Sequence, residues 1–227
     1  MSLITVERKV LEKNDVIAAE NRKIFRDNHI FVINMLSSPG AGKTTIIEKT
    51  ISELKNKIKI AVIEGDVQTD LDARRIDTFD IPVVQIVTNG GCHLEANLVK
   101  DAFSRFDSTD INLLIIENVG NLVCPAGYDL GEDLKIVIAT TTEGEDKPLK
   151  YPAIFRNAGA MLINKIDLLP YLSTQSENTG GLKFSIDILK QNALSINPAL
   201  KIFDMSCMTG QGIDEWCKWL ISNIKAD

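Results

Sequence analysis

The segment SSPGAGKT, which begins at Ser37, combines the residue types that bind the phosphates of a nucleotide. Gly40 and Gly42 allow backbone N–H groups to converge on an anion, while Lys43 can bridge the terminal phosphates. Thr44 can ligate Mg²⁺. Ser37 stands where the common pattern G-x-x-x-x-G-K-[ST] has a glycine, but the close backbone approach falls at the two later glycines. The predicted phosphate contacts are Ser38, Pro39, Gly40, Ala41, Gly42, Lys43, Thr44 and Thr45.

A second motif, NKID, follows an apolar run and predicts a guanine-binding site. Asp167 can accept hydrogen bonds from guanine N1–H and N2–H₂, Asn164 can brace the loop, and Lys165 can cover the base. Adenine lacks those donors and would leave the carboxylate unpaired, a penalty that can give roughly 10⁴ in discrimination. In MSCMTGQGID, after the last apolar run, Ser206 and Cys207 are predicted to lie under the base. The sequence therefore predicts GTP and GDP as ligands.

The segment ENVG also follows an apolar run and predicts the residues that respond to the γ-phosphate. Glu117 is predicted to hold Mg²⁺ through a water molecule, and the Gly120 N–H to sense the γ-phosphate. Asp66 in EGDVQTD is a second Mg²⁺ candidate, whereas Asp70 and Asp72 are expected to be solvated or capping. The predicted catalytic residues are Lys43, Thr44, Asp66, Glu117 and Gly120, with Thr44, Asp66 and Glu117 around Mg²⁺.

The loop after Glu117 contains no obvious base for water, since ENVG is followed by Asn121 rather than Gln. Phosphoryl transfer depends mostly on positioning and electrostatics. We therefore expect slow, Mg²⁺-dependent hydrolysis of GTP to GDP and phosphate, as in a molecular switch. A small-molecule kinase is the alternative, because such phosphate loops also serve kinases, but NKID counts against it.

The segment GGCHLEA places a thiol and an imidazole side by side. Cys92 and His93 begin a predicted helix over 92–106, where the helix dipole favours a thiolate. Cys124 in NLVCPAG closely follows ENVG, so we expect all three side chains at one end of the sheet. Such ligands suit tetrahedral Zn²⁺ or square-planar Ni²⁺, and a two-fold dimer could complete the coordination. The alternative is a structural Cys-His pair without a metal.

Apolar, β-branched runs that alternate with helical segments must position these motifs. Near-continuous apolar strands are typical of a sheet covered on both faces. The alternation predicts an α/β fold with a doubly wound, mostly parallel sheet and ligands at the carboxyl ends of its strands. The predicted strands are 30–36, 59–65, 83–87, 111–117, 135–140, 160–165 and 201–206. A helix over 44–54 is predicted after the first strand, and the last predicted helix is 213–225.

The length of 227 residues suits one P-loop GTPase domain over 30–227, preceded by an N-terminal helical extension over 1–29. Within the extension, residues 14–25 have apolar side chains at helical spacing, with Asn14 as a predicted N-cap. This helix is expected to pack outside the sheet or to bind a partner. The polar segment 173–181 is a predicted surface loop.

Composition narrows the classes of partner. A net charge of -6 argues against nucleic acid, whose phosphates are bound mainly by Lys and Arg. No apolar run approaches the roughly 20 residues of a membrane span, and the first residues lack the apolar stretch of a signal peptide. We therefore expect a cytoplasmic protein without membrane partners. The remaining cysteines, Cys207 and Cys217, are expected to pack in a loop and a helix.

Five segments in order resemble one known family: SSPGAGKT, EGDVQTD, GGCHLEANLV, IIENVGNLVCP and NKIDLLP. The family is HypB, the nickel-incorporation GTPases of [NiFe] hydrogenase maturation, within the SIMIBI class of P-loop GTPases. The resemblance covers nearly the whole chain from about residue 30 onward. GCHLEA together with NVGNLVCP is its specific part, because the phosphate loop and NKID occur in many GTPases.

The resemblance implies phosphate binding at Gly40–Thr44, guanine recognition at Asn164, Lys165 and Asp167, and a homodimer promoted by GTP. It also implies that Cys92, His93 and Cys124 form a Ni²⁺ or Zn²⁺ site at the dimer interface. Other hydrogenase maturation factors and the hydrogenase large subunit are the implied partners. The implied cofactors are GTP or GDP, Mg²⁺, and Ni²⁺ or Zn²⁺.

The chain departs from some family members in its first 29 residues, which contain no Cys and only one His, His29. Those members carry a cysteine motif or a histidine-rich stretch there, so a nickel-storage role is not expected. A urease-type nickel GTPase is one alternative, although that family shows a Cys-Pro-His motif and here Ala126 follows Cys124-Pro125. A metal-free GTPase chaperone of a cofactor enzyme is another.

Overall fold

The computed structural model of the chain describes residues 4–68, 71–107, 110–173 and 184–224. In these ranges the strands are β1 Phe31–Ser37, β2 Ile60–Asp66, β3 Val83–Val87, β4 Leu113–Glu117, β5 Leu134–Thr140, β6 Ala158–Asn164 and β7 Lys201–Asp204. They form one sheet in the order β3-β2-β4-β1-β5-β6-β7. Every neighbouring pair is parallel. The predicted doubly wound sheet is therefore confirmed.

Helices connect the strands in the described part of the chain. They are α1 Ile4–Asp27, α2 Lys43–Leu54, α3 Leu71–Asp77, α4 Ala96–Phe103, α5 Lys147–Lys150, α6 Pro152–Arg156, α7 Leu169–Ser173, α8 Ile186–Ile196 and α9 Ile213–Ile224. Short 3-10 turns lie at Cys124–Gly127 and Ile166–Leu168. The seven predicted strands and the predicted helices 44–54 and 213–225 agree with these bounds to within two residues at each end.

Both faces of the sheet are covered because its strands are apolar on both sides. In β1, Ile33 and Met35 pack with α2 and α9, whereas the preceding residue, Val32, points to the other face and packs with α1 and α4. Val137 and Ile163 join α6 and α8 in a third cluster. Since β1 lies between β4 and β5, the strand order changes direction there, and the carboxyl ends of these strands border a crevice.

Two local predictions are wrong in their boundaries. Asn14 is not the N-cap of its own helix, because α1 begins ten residues earlier, at Ile4, and ends at Asp27. The helix predicted over 92–106 begins at Ala96, so Cys92 and His93 lie in the turn before it. In the predicted loop 173–181, all residues after 173 lie outside the described ranges, as does Asp70.

Candidate functional site

The phosphate loop joins β1 to α2. Ser37 ends the strand with its side chain buried, and Lys43 begins the helix, so the loop carries its anion-binding N–H groups to a helix N-terminus. Gly40 and Gly42 have φ of 74° and 92°, in the region that favours glycine. Lys43 Nζ donates to Ser37 Oγ over 3.1 Å. Serine at the first motif position therefore holds the lysine rather than disrupting the loop.

Asn164 connects the phosphate loop to the predicted guanine-binding loop. Its Nδ2 donates to the Ala41 carbonyl over 3.1 Å, and its Oδ1 accepts from the Lys165 N–H over 2.8 Å. The Cys207 N–H also approaches Asn164 Oδ1, at 3.4 Å. Lys165 Nζ donates to the Gly40 carbonyl over 2.8 Å. The three motifs that sequence analysis assigned to one nucleotide therefore meet through one buried amide.

A cavity of about 640 Å³ opens beside this amide, bordered by Lys165, Asp167 and Cys207. Asp167 Oδ1 accepts a hydrogen bond from the buried Ser206 hydroxyl over 2.5 Å, which orients the carboxylate. Burial raises the pKa of Cys207 to about 11, so its side chain stays a neutral thiol. The cavity is suited to a planar base with paired ring donors.

A second cavity, of about 400 Å³, adjoins the phosphate loop and is lined by the predicted Mg²⁺ residues and by all the predicted phosphate residues except Ser38 and Ala41. Thr44 Oγ1 donates to Glu117 Oε1 over 3.0 Å, and Lys43 Nζ lies 3.7 Å from the same oxygen. Burial raises the pKa of Glu117. The predicted γ-phosphate sensor, Gly120, borders this cavity, and a Cβ atom there would lie 3.1 Å from Pro39 Cα.

Glu64 belongs to the same cavity, although sequence analysis did not predict it. It lies opposite Glu117 on the neighbouring strand, is buried, and has a pKa raised to about 11 by burial and then by repulsion from Glu117. Among the described residues, Glu64 Oε2 and Glu117 Oε2 have no hydrogen-bond partner. Paired buried carboxyl groups need a shared proton or a cation. A glutamate interrupting the apolar run AVIEGD was the available signal.

Asp72 completes this acidic cluster. Carboxylate oxygens of Glu64, Asp72 and Glu117 all lie within 4.8 Å of one another. Asp72 lies in the first turn of α3 and is partly exposed, as expected of a solvated or capping residue, and it also accepts from Arg75 over 3.1 Å. Asp66 borders the cavity without joining the cluster, and its Oδ1 accepts the Val67 N–H over 2.5 Å.

Lys147 is another residue near the phosphates that sequence analysis missed. Its Nζ donates to Ser38 Oγ and lies 2.9 Å from Glu143 Oε1. Glu143 and Lys147 follow the carboxyl end of β5, which lies at the same edge of the sheet as the phosphate loop. The signal available in the sequence was a run of charged residues, EGEDK, directly after a buried strand.

The predicted sulfur and nitrogen ligands also converge. Ligand atoms of Cys92, His93 and Cys124 lie within 4.8 Å of one another, and Cys92 Sγ is 3.5 Å from His93 Nδ1. The His93 ring packs on Tyr128, with ring centroids 3.9 Å apart. Asn121 Nδ2 donates to the Cys92 carbonyl over 3.2 Å, which joins the two ligand-bearing segments.

The protonation states in this cluster are consistent with a metal-binding role. Burial lowers the pKa of His93, although Glu95 opposes this, so the imidazole is neutral near pH 7. A hydrogen bond with the Cys124 thiol, together with burial, raises the pKa of Cys92. Metal binding would therefore release a thiol proton. His93 Nε2 is buried and has no hydrogen-bond partner among the described residues.

Comparisons of this chain with known proteins agree on one family. Residues 31–186 match the family model described as "CobW/HypB/UreG, nucleotide-binding domain". The hydrogenase maturation factor HypB of Azotobacter chroococcum is 48% identical over 96% of this chain and 68% of its own length. The hydrogenase/urease maturation factor HypB of Helicobacter hepaticus is 41% identical over 82% of this chain and 79% of its own length.

The chain belongs to the HypB family of hydrogenase maturation factors. A solved member, HypB from Helicobacter pylori in complex with nickel, superposes with a TM-score of 0.85 at 35% identity, covering 94% of this chain and 96% of that one. The resemblance seen in the sequence is thereby confirmed, as is the P-loop fold. The roles of individual HypB site residues in this chain stay predictions, as does the division into 1–29 and 30–227. In the described residues, no helix is long and apolar enough to cross a membrane.

Proposed function

We propose that the chain is a GTP-hydrolysing metallochaperone that binds Ni²⁺ or Zn²⁺ at Cys92, His93 and Cys124 and assists nickel insertion into [NiFe] hydrogenase. The observation that carries this proposal is the convergence of these three ligands beside the loop that borders the phosphate cavity. The nickel complex of the H. pylori relative and the hydrogenase-maturation names of the curated relatives support the same metal and pathway.

GTP binds across the two adjoining cavities in this proposal. The loop Ser38–Thr45 surrounds the phosphates, Asp167 receives the guanine N1–H and N2–H₂ donors, and Lys165 covers the base. Cys207 borders the base cavity, and the Ser206 hydroxyl holds the Asp167 carboxylate in place. Because Asn164 holds both loops, occupancy of one cavity preorganises the other.

The acidic cluster fits Mg²⁺, because two of its buried carboxyl groups have oxygens that lack hydrogen-bond partners in the part of the chain that the structure describes. Thr44 and Glu117 would hold the ion, with Asp66 at the cavity edge and Glu64 behind Glu117. When bound, Mg²⁺ neutralises charge that develops on the β- and γ-phosphate oxygens. Lys43 and the loop N–H groups position the phosphates, and Gly120 approaches the γ-phosphate through its N–H.

Hydrolysis breaks the bond between the γ-phosphorus and the β–γ bridging oxygen when water attacks, giving GDP, phosphate and a proton. No side chain in positions 118–123 is an obvious base for this water, since they read NVGNLV. We therefore expect slow GTP hydrolysis by the isolated protein, as in a molecular switch rather than a metabolic enzyme.

The metal is the cargo of this cycle. Three ligands leave room for further coordination, so GTP-bound chains are proposed to pair about a two-fold axis that brings two Cys92–His93 pairs together. Loss of the γ-phosphate then loosens the pair and releases the ion to another maturation factor or to the hydrogenase large subunit. A cytoplasmic location agrees with such partners.

Metal retention after dialysis tests the proposal. We expect the wild-type protein and a Cys217→Ala control to retain Ni²⁺ or Zn²⁺, and Cys92→Ala to lose it, because Cys217 is buried in α9 away from the cluster. GTP hydrolysis should far exceed ATP hydrolysis. Equal retention by Cys92→Ala would leave a GTPase chaperone without metal, and phosphorylation of an acceptor would indicate a kinase.

Urease maturation is a second candidate. It is favoured by the hydrogenase/urease role in the name of the H. hepaticus relative. The two pathways differ in the recipient of the ion, so transfer of ⁶³Ni from the loaded protein to a hydrogenase precursor or to a urease precursor separates them.

A further inference from the structure

Asn118 lies where the phosphate cavity and the ligand-bearing segments meet. It follows Glu117, it borders the phosphate cavity, and its N–H donates to the Met35 carbonyl over 3.1 Å. The residue is 1% exposed. It is not a predicted ligand of the nucleotide or of the metal, so its buried amide requires another role.

The Asn118 side chain connects two loops. Its Oδ1 accepts from the Val119 N–H over 3.0 Å, within the loop that leads to Gly120, and from the Leu94 N–H over 3.2 Å. Leu94 directly follows His93. One oxygen atom therefore holds the backbone on the γ-phosphate side and the backbone next to a predicted metal ligand.

Leu94 cannot adapt independently when Asn118 moves. Its side chain is fully buried, and a Cβ atom at Gly65 would lie 2.8 Å from it, so Leu94 packs directly on the end of β2. A buried N–H that loses its acceptor is costly. A displacement of Asn118 is therefore expected to shift the backbone of Leu94 and the adjoining His93.

The other side of the amide reaches the second ligand-bearing segment. Asn118 Nδ2 donates to Asn34 Oδ1 over 3.2 Å, and Asn34 Nδ2 donates to Glu132 Oε1 over 3.2 Å. Glu132 Oε2 accepts the Leu130 N–H over 2.7 Å, shortly after the turn that contains Cys124. A buried chain of hydrogen bonds therefore joins Asn118 to Leu130, three residues beyond the end of the turn Cys124–Gly127.

We propose that Asn118 is the positioning residue that couples the nucleotide state to the geometry of Cys92, His93 and Cys124. This inference rests on the proposed function, because it requires that GTP and GDP hold the loop at Gly120 differently. A loop shift on the phosphate side then changes the relative position of the metal ligands through the two bonds to Asn118 Oδ1. Such coupling is reciprocal, so the metal must change nucleotide affinity by the same factor.

A competing connection runs through Asn121. Its Nδ2 donates to the Cys92 carbonyl over 3.2 Å, and its Oδ1 accepts from the Val123 N–H over 2.8 Å. This residue is partly exposed, and its bonds can exchange with water. The buried amide of Asn118 has no such replacement, so we expect it to carry the larger part of the coupling.

The test measures Kd for Ni²⁺ with GDP and with a non-hydrolysable GTP analogue, and takes the ratio of the two. The variants are Asn118→Leu, of similar size without polar atoms, and Asn118→Asp, which keeps the oxygen that accepts from Leu94 but removes the donor to Asn34 and so isolates the contribution of the two Oδ1 bonds. Asn21→Ala is the matched control. Asn21 is also a buried asparagine, but its side chain donates to the carbonyls of Ala96 and Leu130 and makes no bond to the loop at Gly120 among the described residues. Should Asn118→Leu not fold, Asn118→Ser removes the same long-range bonds.

In the wild type we expect the ratio to differ from one by about 5- to 150-fold. Asn118→Leu should bring it close to one while Ni²⁺ still binds, with its thiolate absorption bands intact, whereas Asn118→Asp and Asn21→Ala should keep it. The reciprocal ratio for nucleotide affinity with and without Ni²⁺ should change in parallel. A role in stability alone would lower the melting temperature without altering either ratio.

Two outcomes overturn the inference in distinguishable ways. If the wild-type ratio is one, the nucleotide-gated step of the proposed function fails, and the role of Asn118 fails with it. If the wild-type ratio differs from one and remains in Asn118→Leu, the proposed function stands and the role of Asn118 fails; loss of the ratio in Asn121→Ala would then show that the coupling runs through Asn121.

Discussion

At the scale of single residues, Asp167 is the side chain on which guanine selectivity depends. Replacing it with asparagine keeps an oxygen that accepts from N1–H but places an amide donor against guanine N2–H₂. Each charged hydrogen bond contributes about 1.5–3 kcal/mol, so we predict that Asp167→Asn weakens GTP binding by about 100-fold or more. Xanthosine triphosphate, with a carbonyl at that position, should bind the variant better than GTP.

Competition between the two nucleotides at equilibrium, followed with a fluorescent analogue, measures this change. Asp187→Asn, at the exposed first turn of α8, is a control that should leave GTP affinity within about twofold. A variant at Asp167 that still preferred GTP to xanthosine triphosphate would contradict the assignment of NKID to the base.

Gly42 is predicted to be the least replaceable residue of the phosphate loop. A Cβ atom at Gly42 would lie 2.7 Å from Asn164 Nδ2, whereas at Gly40, also at positive φ, it would meet nothing within 4 Å. Both alanine variants place a Cβ atom on a backbone at positive φ, which costs about 1–2 kcal/mol in stability. Gly42→Ala also overpacks the space next to Asn164, which costs about 1–3 kcal/mol more. Urea unfolding of the nucleotide-free protein measures the difference, and equal destabilisation of the two variants would contradict this account.

At the scale of elements, α1 fixes the start of α4. Asn14 Oδ1 accepts the Ala96 N–H over 2.9 Å, and Asn14 Nδ2 donates to the Asp129 carbonyl over 2.7 Å. The N-cap of α4, Glu95, makes no capping hydrogen bond through its own side chain. Asn14 therefore satisfies a free N–H at the first turn of another helix, rather than at the start of its own.

We predict that Asn14→Ala lowers the free energy of unfolding by about 1–3 kcal/mol, because it leaves buried backbone groups without partners. Asn97→Ala, at an exposed position in the first turn of α4, should change it by less than about 0.5 kcal/mol. Chemical denaturation of both variants gives the comparison. If Asn14→Ala were as mild as Asn97→Ala, α1 would not support the turn before α4.

A second contact of α1 predicts a dependence on pH. Arg22 Nη2 bonds Asp129 Oδ1 over 2.6 Å and Oδ2 over 2.8 Å. Burial opposes the charge of Asp129, but the hydrogen bonds from Arg22 and the Gly131 N–H prevail and lower its pKa below 3.8. An acid with a lowered pKa adds stability above its unfolded-state pKa, and that stability disappears as the pH falls through the folded-state value.

Because the Arg22–Asp129 pair is partly exposed, Arg22→Gln should cost only about 0.5–1 kcal/mol at pH 7. The difference from wild type should stay constant from pH 8 to about pH 5 and narrow as the pH falls below about 4. Melting temperatures across this range measure it. A difference that already vanished at pH 6, or that grew in acid, would contradict a role for the Asp129 carboxylate.

At the scale of the whole molecule, the sequence predicted what lies within short motifs. The phosphate loop, NKID and the cysteine–histidine segment follow strands whose apolar character is visible, so their meeting at one sheet edge could be inferred. Glu64 was missed because its partner Glu117 is distant in sequence and only strand register places them together. Asn14 was misassigned for the same reason, since its partner Ala96 belongs to another helix.

The most direct test of nucleotide-gated metal binding is a Ni²⁺ titration of the wild-type protein and Cys92→Ala, with GDP or a non-hydrolysable GTP analogue, while light scattering follows solution mass. The account predicts that the analogue doubles the mass and changes Ni²⁺ affinity by about fivefold or more, and that Cys92→Ala abolishes Ni²⁺ binding in both states. Identical mass and identical Ni²⁺ affinity with the two nucleotides would contradict it.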